Sequence, residues 1–203
     1  MPELHFTREE HEERIRRARE ALRKRGLSAL LIFAQESHYY LTGYDTAGYV
    51  FFQCAVLSAD DQPITLLTRR PDVQQAHETS IIADVRVWYD AEGVNPALEL
   101  RDILAEKGLA GERIGIELNT YGLTGASHDK VARALSGWCE LEDASDVIRG
   151  LRLVKSPAEL EHVRDAARLA DEALVAMMEA SRPGELDTAV CAAGLNVMLR
   201  GGG

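Results

Sequence analysis

The tightest constraint on what this chain can fold into is a run of six apolar residues, Ala29-Leu30-Leu31-Ile32-Phe33-Ala34, that begins three residues after a helix stop. A continuous apolar run this short, following a helix stop, reads as a buried β-strand covered on both faces. The preceding segment reads as a helix. Thr7 and Glu10 have the spacing of a capping box, four glutamates lie in the first turns, Arg23, Lys24 and Arg25 lie in the last, and Gly26 ends the helix.

The rest of the first 150 residues continues the alternation. Residues 36–41 predict a helical turn closed by Gly43. Runs at 50–57 and 64–68 predict an antiparallel hairpin through Asp60, Asp61 and Pro63, so the sheet is mixed. A short helix is expected over 71–79, a strand over 85–89, and a helix starting at Asn95-Pro96 and ending at Gly108. A strand at 113–118, a helix at 124–135 and a short strand at 139–141 complete an α/β domain over residues 1–150, a mixed β-sheet flanked by helices.

The pattern changes over 151–203. Ser156-Pro157-Ala158-Glu159 combines an N-cap, an N1 proline and a capping-box acid. Leu160, Val163, Ala167, Ala170, Leu174 and Met177 then step by three and four along one helix face. Pro183-Gly184 breaks this helix and 186–200 predicts a second. Such a hairpin buries little alone: it begins a second, incomplete domain, docks on a partner chain, or docks on the first domain.

Twenty-three basic against 33 acidic residues give a formal charge of −10, which repels phosphate backbones and anionic lipid surfaces and argues against nucleic acid. No apolar run approaches the ~20 residues of a membrane span, and no secretory leader is visible, so a cytoplasmic protein is expected. Cys54, Cys139 and Cys191 are widely spaced and odd in number, which suits reduced, buried thiols.

No catalytic motif stands out, and no catalytic or metal-binding residue is assigned. His77-Glu78 begins the zinc-helix pattern, but Ile81 stands where its second histidine belongs. The most informative stretch is 39–49, which holds four of the six tyrosines and two glycines. Tyr39 and Tyr40 are expected to pack under the sheet edge. Tyr44, Asp45 and Tyr49 are the candidate substrate-binding residues, with packing and recognition equally weighted, because loops carry function and phenolic rings give contact area at low entropy cost.

Two segments resemble a known family. Ser37-His38-Tyr39-Tyr40-Leu41-Thr42-Gly43-Tyr44 resembles the strand-exit segment of creatinase/prolidase N-terminal domains. Leu151-Arg152-Leu153-Val154-Lys155-Ser156-Pro157-Ala158-Glu159-Leu160 resembles the start of the "pita-bread" metallohydrolase domain of that family, which includes aminopeptidase P, prolidase, creatinase and ectoine hydrolase. The stretch 42–53, with 120–124, is most similar to the ectoine-hydrolase-like branch.

The resemblance implies a homodimer acting on a small-molecule or dipeptide-like substrate. It also implies a later domain holding a dinuclear divalent metal (Mn, Co or Zn) between Asp, Asp, His, Glu and Glu ligands beyond Gly203, so that this chain alone is expected to be inert. In creatinase-like relatives an aromatic residue and an arginine from this loop reach the neighbouring subunit's active site; here Tyr49 matches the aromatic, but Phe51 stands at the arginine position, which argues against creatine. The rival expectation is a stand-alone interaction domain that grips a partner with the Tyr-rich loop and the Leu160–Met177 stripe.

Overall fold

The computed structural model describes residues 4–202 and divides the chain into two compact units, 1–153 and 154–203. In the first unit, α1 (Arg8–Arg25) leads into β1 (Ala29–Ile32) and α2 (Gln35–Thr42). Thr7 accepts the Glu10 N–H at 3.2 Å, and Gly26 takes the left-handed conformation (φ 67°) that ends the helix. The Glu10 carboxylate bonds to Arg14 one turn on.

There follow β2 (Cys54–Ser58), β3 (Thr65–Arg69), α3 (Val73–Thr79), β4 (Asp84–Trp88), α4 (Pro96–Glu106), β5 (Arg113–Ile116), α5 (Gly125–Leu135), β6 (Glu140–Asp143) and α6 (Asp146–Leu153). They form one six-stranded mixed sheet in the order β4-β3-β2-β1-β5-β6. Pairs β1–β2 and β2–β3 are antiparallel; β1–β5, β5–β6 and β3–β4 are parallel.

Period-two alternation along β1 divides the core. Ala29 and Leu31 face a layer with Leu100 and Leu104 of α4 and Val131 and Leu135 of α5. Leu30 and Ile32 face the other layer, with Ala18 and Leu22 of α1, Leu41 of α2, Ala76 of α3 and Ile148 of α6. This two-sided cover is what the apolar run demands.

The expected strand over 50–57 is shortened. It starts at Cys54, while residues 48–50 form a 3₁₀ turn. The partner strand sets the limit: β1 ends at Ile32, which pairs with Ala55, so Val50, Phe51 and Phe52 have no ladder to join despite their β propensity.

The second unit is a hairpin of α7 (Pro157–Ala180) and α8 (Asp187–Arg200). The Ser156–Glu159 capping box forms in both directions. The meeting face shares Met177 with the stripe read in sequence but leaves its larger members out. Ala173 is the buried residue of α7, Gly194 comes so close to Met177 that an added Cβ would lie 2.7 Å from its sulfur, and Leu160, Val163 and Leu174 stay exposed. Small residues at 173 and 194 permit the close approach, which outweighs the larger side chains one position away. Of the cysteines only Cys54 is buried; Cys139 is half-buried and Cys191 exposed, which corrects the expectation of three buried thiols. No described helix is long and apolar enough to cross a membrane.

Candidate functional site

The carboxyl ends of β1, β5 and β6 open onto a cleft of about 610 Å3. Ala34, Gln35, Glu36 and Ser37 line it after β1, Glu117 to Gly122 after β5, and Ser145, Arg149 and Arg152 after β6, with Tyr49 on the rim.

Glu117 forms its floor. Only 2% exposed, its carboxylate accepts the backbone N–H groups of Phe33 (3.0 Å) and Ala34 (2.8 Å) and the Ser37 hydroxyl (2.6 Å). The acid therefore satisfies the backbone donors of the segment joining β1 to α2, a helix with no side-chain cap of its own. Burial pushes its pKa up, and the three donors pull against that rise.

The adjacent wall is built similarly. The Ser145 hydroxyl accepts the N–H groups of Leu118 (2.8 Å) and Asn119 (2.9 Å) and donates to the Asp143 carboxylate, which it holds below the usual carboxylate range. Gly122 lies against the Phe33 carbonyl so tightly that a Cβ there would stand 2.0 Å from the oxygen. Arg149 reaches the Asn119 carbonyl at 3.3 Å.

The structure separates the three predicted recognition residues. Tyr44 is 0% exposed and sits in the core, its ring edge-on to His38 at 5.9 Å. The ring follows Gly43 directly into the layer under β1 and β2. Asp45 is exposed but is not part of the cleft, and its N–H donates to the Thr79 hydroxyl. Tyr49 is 41% exposed and lines the cleft.

The turn bearing Tyr49 is held from beneath. A Cβ on Gly48 would lie 2.3 Å from Gln53 Nε2, 2.7 Å from Asp72 Oδ1 and 2.9 Å from Thr46 Oγ1, so a larger residue there would have to displace those side chains. Arg69 bonds to Asp72 at 3.2 Å and stacks over the Phe51 ring at 3.2 Å.

The sequence reading missed Glu117, Ser145 and Arg149. The available signal for Glu117 was an acid placed immediately after the apolar strand Ile114-Gly115-Ile116, where parallel strands present ligand-facing residues. Chemically the cleft offers a guanidinium, hydroxyl groups and phenolic rings to a ligand and no exposed nucleophile–base pair among the described residues. The Ser37 hydroxyl does face a carboxylate, but Ser37 is itself buried. Among the described residues no group of three or more His, Cys, Asp or Glu side chains could hold a metal ion.

A sequence model described as the creatinase/prolidase N-terminal domain matches residues 14–154. The chain belongs to that family. It is 28% identical over 188 residues to ectoine hydrolase of Halomonas elongata, covering 89% of this chain and 47% of that protein. It is also 28% identical over 197 residues to creatinase of a Bacillus species, covering 96% and 46%. The family chain thus spans about half the length of the curated relatives it matches.

Among solved structures, a prolidase from Thermococcus sibiricus superposes with TM-score 0.78 at 20% identity, over 93% of this chain and 49% of that one. The N-terminal domain of the cytoplasmic peptidase PepQ from Mycobacterium tuberculosis gives 0.54 at 25% identity, over 69% and 98%. These likenesses establish the fold: a mixed six-stranded sheet flanked by helices, followed by a helical hairpin.

Proposed function

We propose that this chain is the N-terminal, substrate-selecting and dimerisation portion of a metal-dependent C–N hydrolase, an Xaa-Pro peptidase or an ectoine-hydrolase-like amidohydrolase of the cytoplasm, with residues 1–150 as its N-terminal domain and 151–203 as the linker and first helices of the metallohydrolase domain. The observation that carries this reading is Tyr49: an aromatic side chain exposed on a turn that packs against Asp72 and lies beside the Arg69–Phe51 stack, in a chain of the creatinase/prolidase family. An aromatic ring at a cleft rim discriminates among small substrates at low entropic cost. In this reading the dinuclear Mn, Co or Zn centre is held by the metallohydrolase domain of the homodimer, where it would activate water for the hydrolysis, and this chain contributes substrate contacts.

The test uses the complete gene product supplied with Mn2+, Co2+ or Zn2+. Xaa-Pro dipeptides, ectoine and creatine are offered in parallel, and mass is measured by light scattering. Hydrolysis of one of the first two classes by a dimer, with Tyr49→Ala raising KM at least tenfold at little change in kcat, is the expected result. A monomer without hydrolytic activity, or turnover of creatine in spite of Phe51, refutes the reading.

A further inference from the structure

The sheet reverses its winding beside β1. The chain leaves β1 through α2 toward β2 on one side, whereas β5, parallel to β1, lies on the other and continues to β6. The segments that follow β1 and β5 therefore diverge, and the crevice between them at the strands' carboxyl ends is the place where open α/β sheets receive ligands. The cleft of about 610 Å3 opens there, within the range that small-molecule sites occupy.

Its charged groups define what it can accept. Glu117 has its donors supplied by two backbone N–H groups ahead of α2 and the Ser37 hydroxyl, and its carboxylate repels a second anion from the floor. Glu36 is exposed at the edge and screened by water. On the opposite wall, the Arg149 guanidinium, with five donors available, makes one described hydrogen bond, to the Asn119 carbonyl, and Arg152 lines the same wall one turn further along α6. Tyr49 and Tyr121, the latter 92% exposed, add phenolic rings.

We propose that this cleft is a binding site for a small organic carboxylate, its charge taken by Arg149 and its body lying against the Tyr49 and Tyr121 rings. A monoanion suits the site better than a dianion such as phosphate, because two carboxyl groups share the lining with the guanidinium groups. The proposal shares Tyr49 with the hydrolase reading, but its test measures binding alone, so failure of either leaves the other standing.

Benzoate, with its neutral isostere benzamide and inorganic phosphate as comparisons, is titrated into the 203-residue chain at low ionic strength, and the amide resonances of Asn119, Tyr121 and Gly122 are followed by two-dimensional NMR. Saturable benzoate shifts, absent with benzamide and weakened at least tenfold by Arg149→Gln, are expected; Arg149→Lys, which keeps the charge but loses the fork, falls between. Arg149 is exposed, so both variants retain the dispersed spectrum of the folded chain. Any of three results overturns the proposal: no saturable shift with benzoate, equal binding by Arg149→Gln or of benzamide, or tighter binding of phosphate than of benzoate.

Discussion

The Glu117 carboxylate accepts the Ala34 backbone N–H at 2.8 Å and so joins the segment leaving β5 to the segment leaving β1, 83 residues earlier in the chain. Removing that acceptor strands three donors at the cleft floor. Glu117→Ala is expected to destabilise the first unit by about 2–4 kcal/mol, and Glu117→Gln, which keeps a carbonyl acceptor, by distinctly less. Urea unfolding at neutral pH measures both; equal midpoints for the two variants would show that the hydrogen bonds are unimportant.

His38 is enclosed with neither ring nitrogen hydrogen-bonded, and burial pulls its pKa from 6.5 down to about 4. The unfolded chain takes up a proton near pH 6.5 that the folded chain refuses until about pH 4. Stability is therefore intact above pH 6.5 and falls as pH drops through that window, by about 3 kcal/mol from this residue. His11, lowered by burial and by nearby Arg14, acts in the same sense. Denaturant midpoints at pH 7 and pH 4.5 should differ less in His38→Leu than in the natural chain, and an unchanged difference would exclude His38 as the cause.

Gly122 and Gly125 make a matched pair. A Cβ at 122 meets the Phe33 carbonyl oxygen at 2.0 Å, whereas nothing lies within 4 Å of one at 125. Gly122→Ala is expected to cost about 1–3 kcal/mol, since backbone must move. Gly125→Ala, at the first residue of α5, should lie between no change and about 1 kcal/mol of added stability. Thermal melts of the two variants decide it, and similar melting temperatures would contradict the close approach.

Tyr44 and Tyr49 should respond oppositely. The Tyr44 hydroxyl is buried without a hydrogen-bond partner, beside the Thr46 and Thr68 side chains, so Tyr44→Phe is expected to change stability by less than about 1 kcal/mol and to leave benzoate affinity alone. Tyr49→Ala should leave stability alone and weaken benzoate. Calorimetry together with the same titration separates the two roles; a loss of affinity in Tyr44→Phe would return that residue to the binding surface.

Much of the fold is legible in the residues themselves. The Thr7 and Ser156 caps, the Asn95-Pro96 start and the Gly26 stop each work through hydrogen bonds within a few residues, and all appear at the expected positions. The apolar run at 29–34 required cover on both faces, because a strand alternates its side chains and none of these is polar. Those are local consequences of residue identity, and the sequence by itself determined them.

The cleft is of another kind. Tyr44 and Tyr49 are five residues apart in the same aromatic loop, yet one is enclosed and the other exposed, a difference made by where β1 ends and where Arg69 and Asp72 support the turn. Glu117, Ser145 and Arg149 are unremarkable in the sequence and acquire meaning from strand order, which sets β5 against β1 and β6 against β5. Only the tertiary structure decided this, because hydrogen bonds between residues some 80 positions apart in the chain depend on the winding of the sheet, and short-range periodicity carries no record of it.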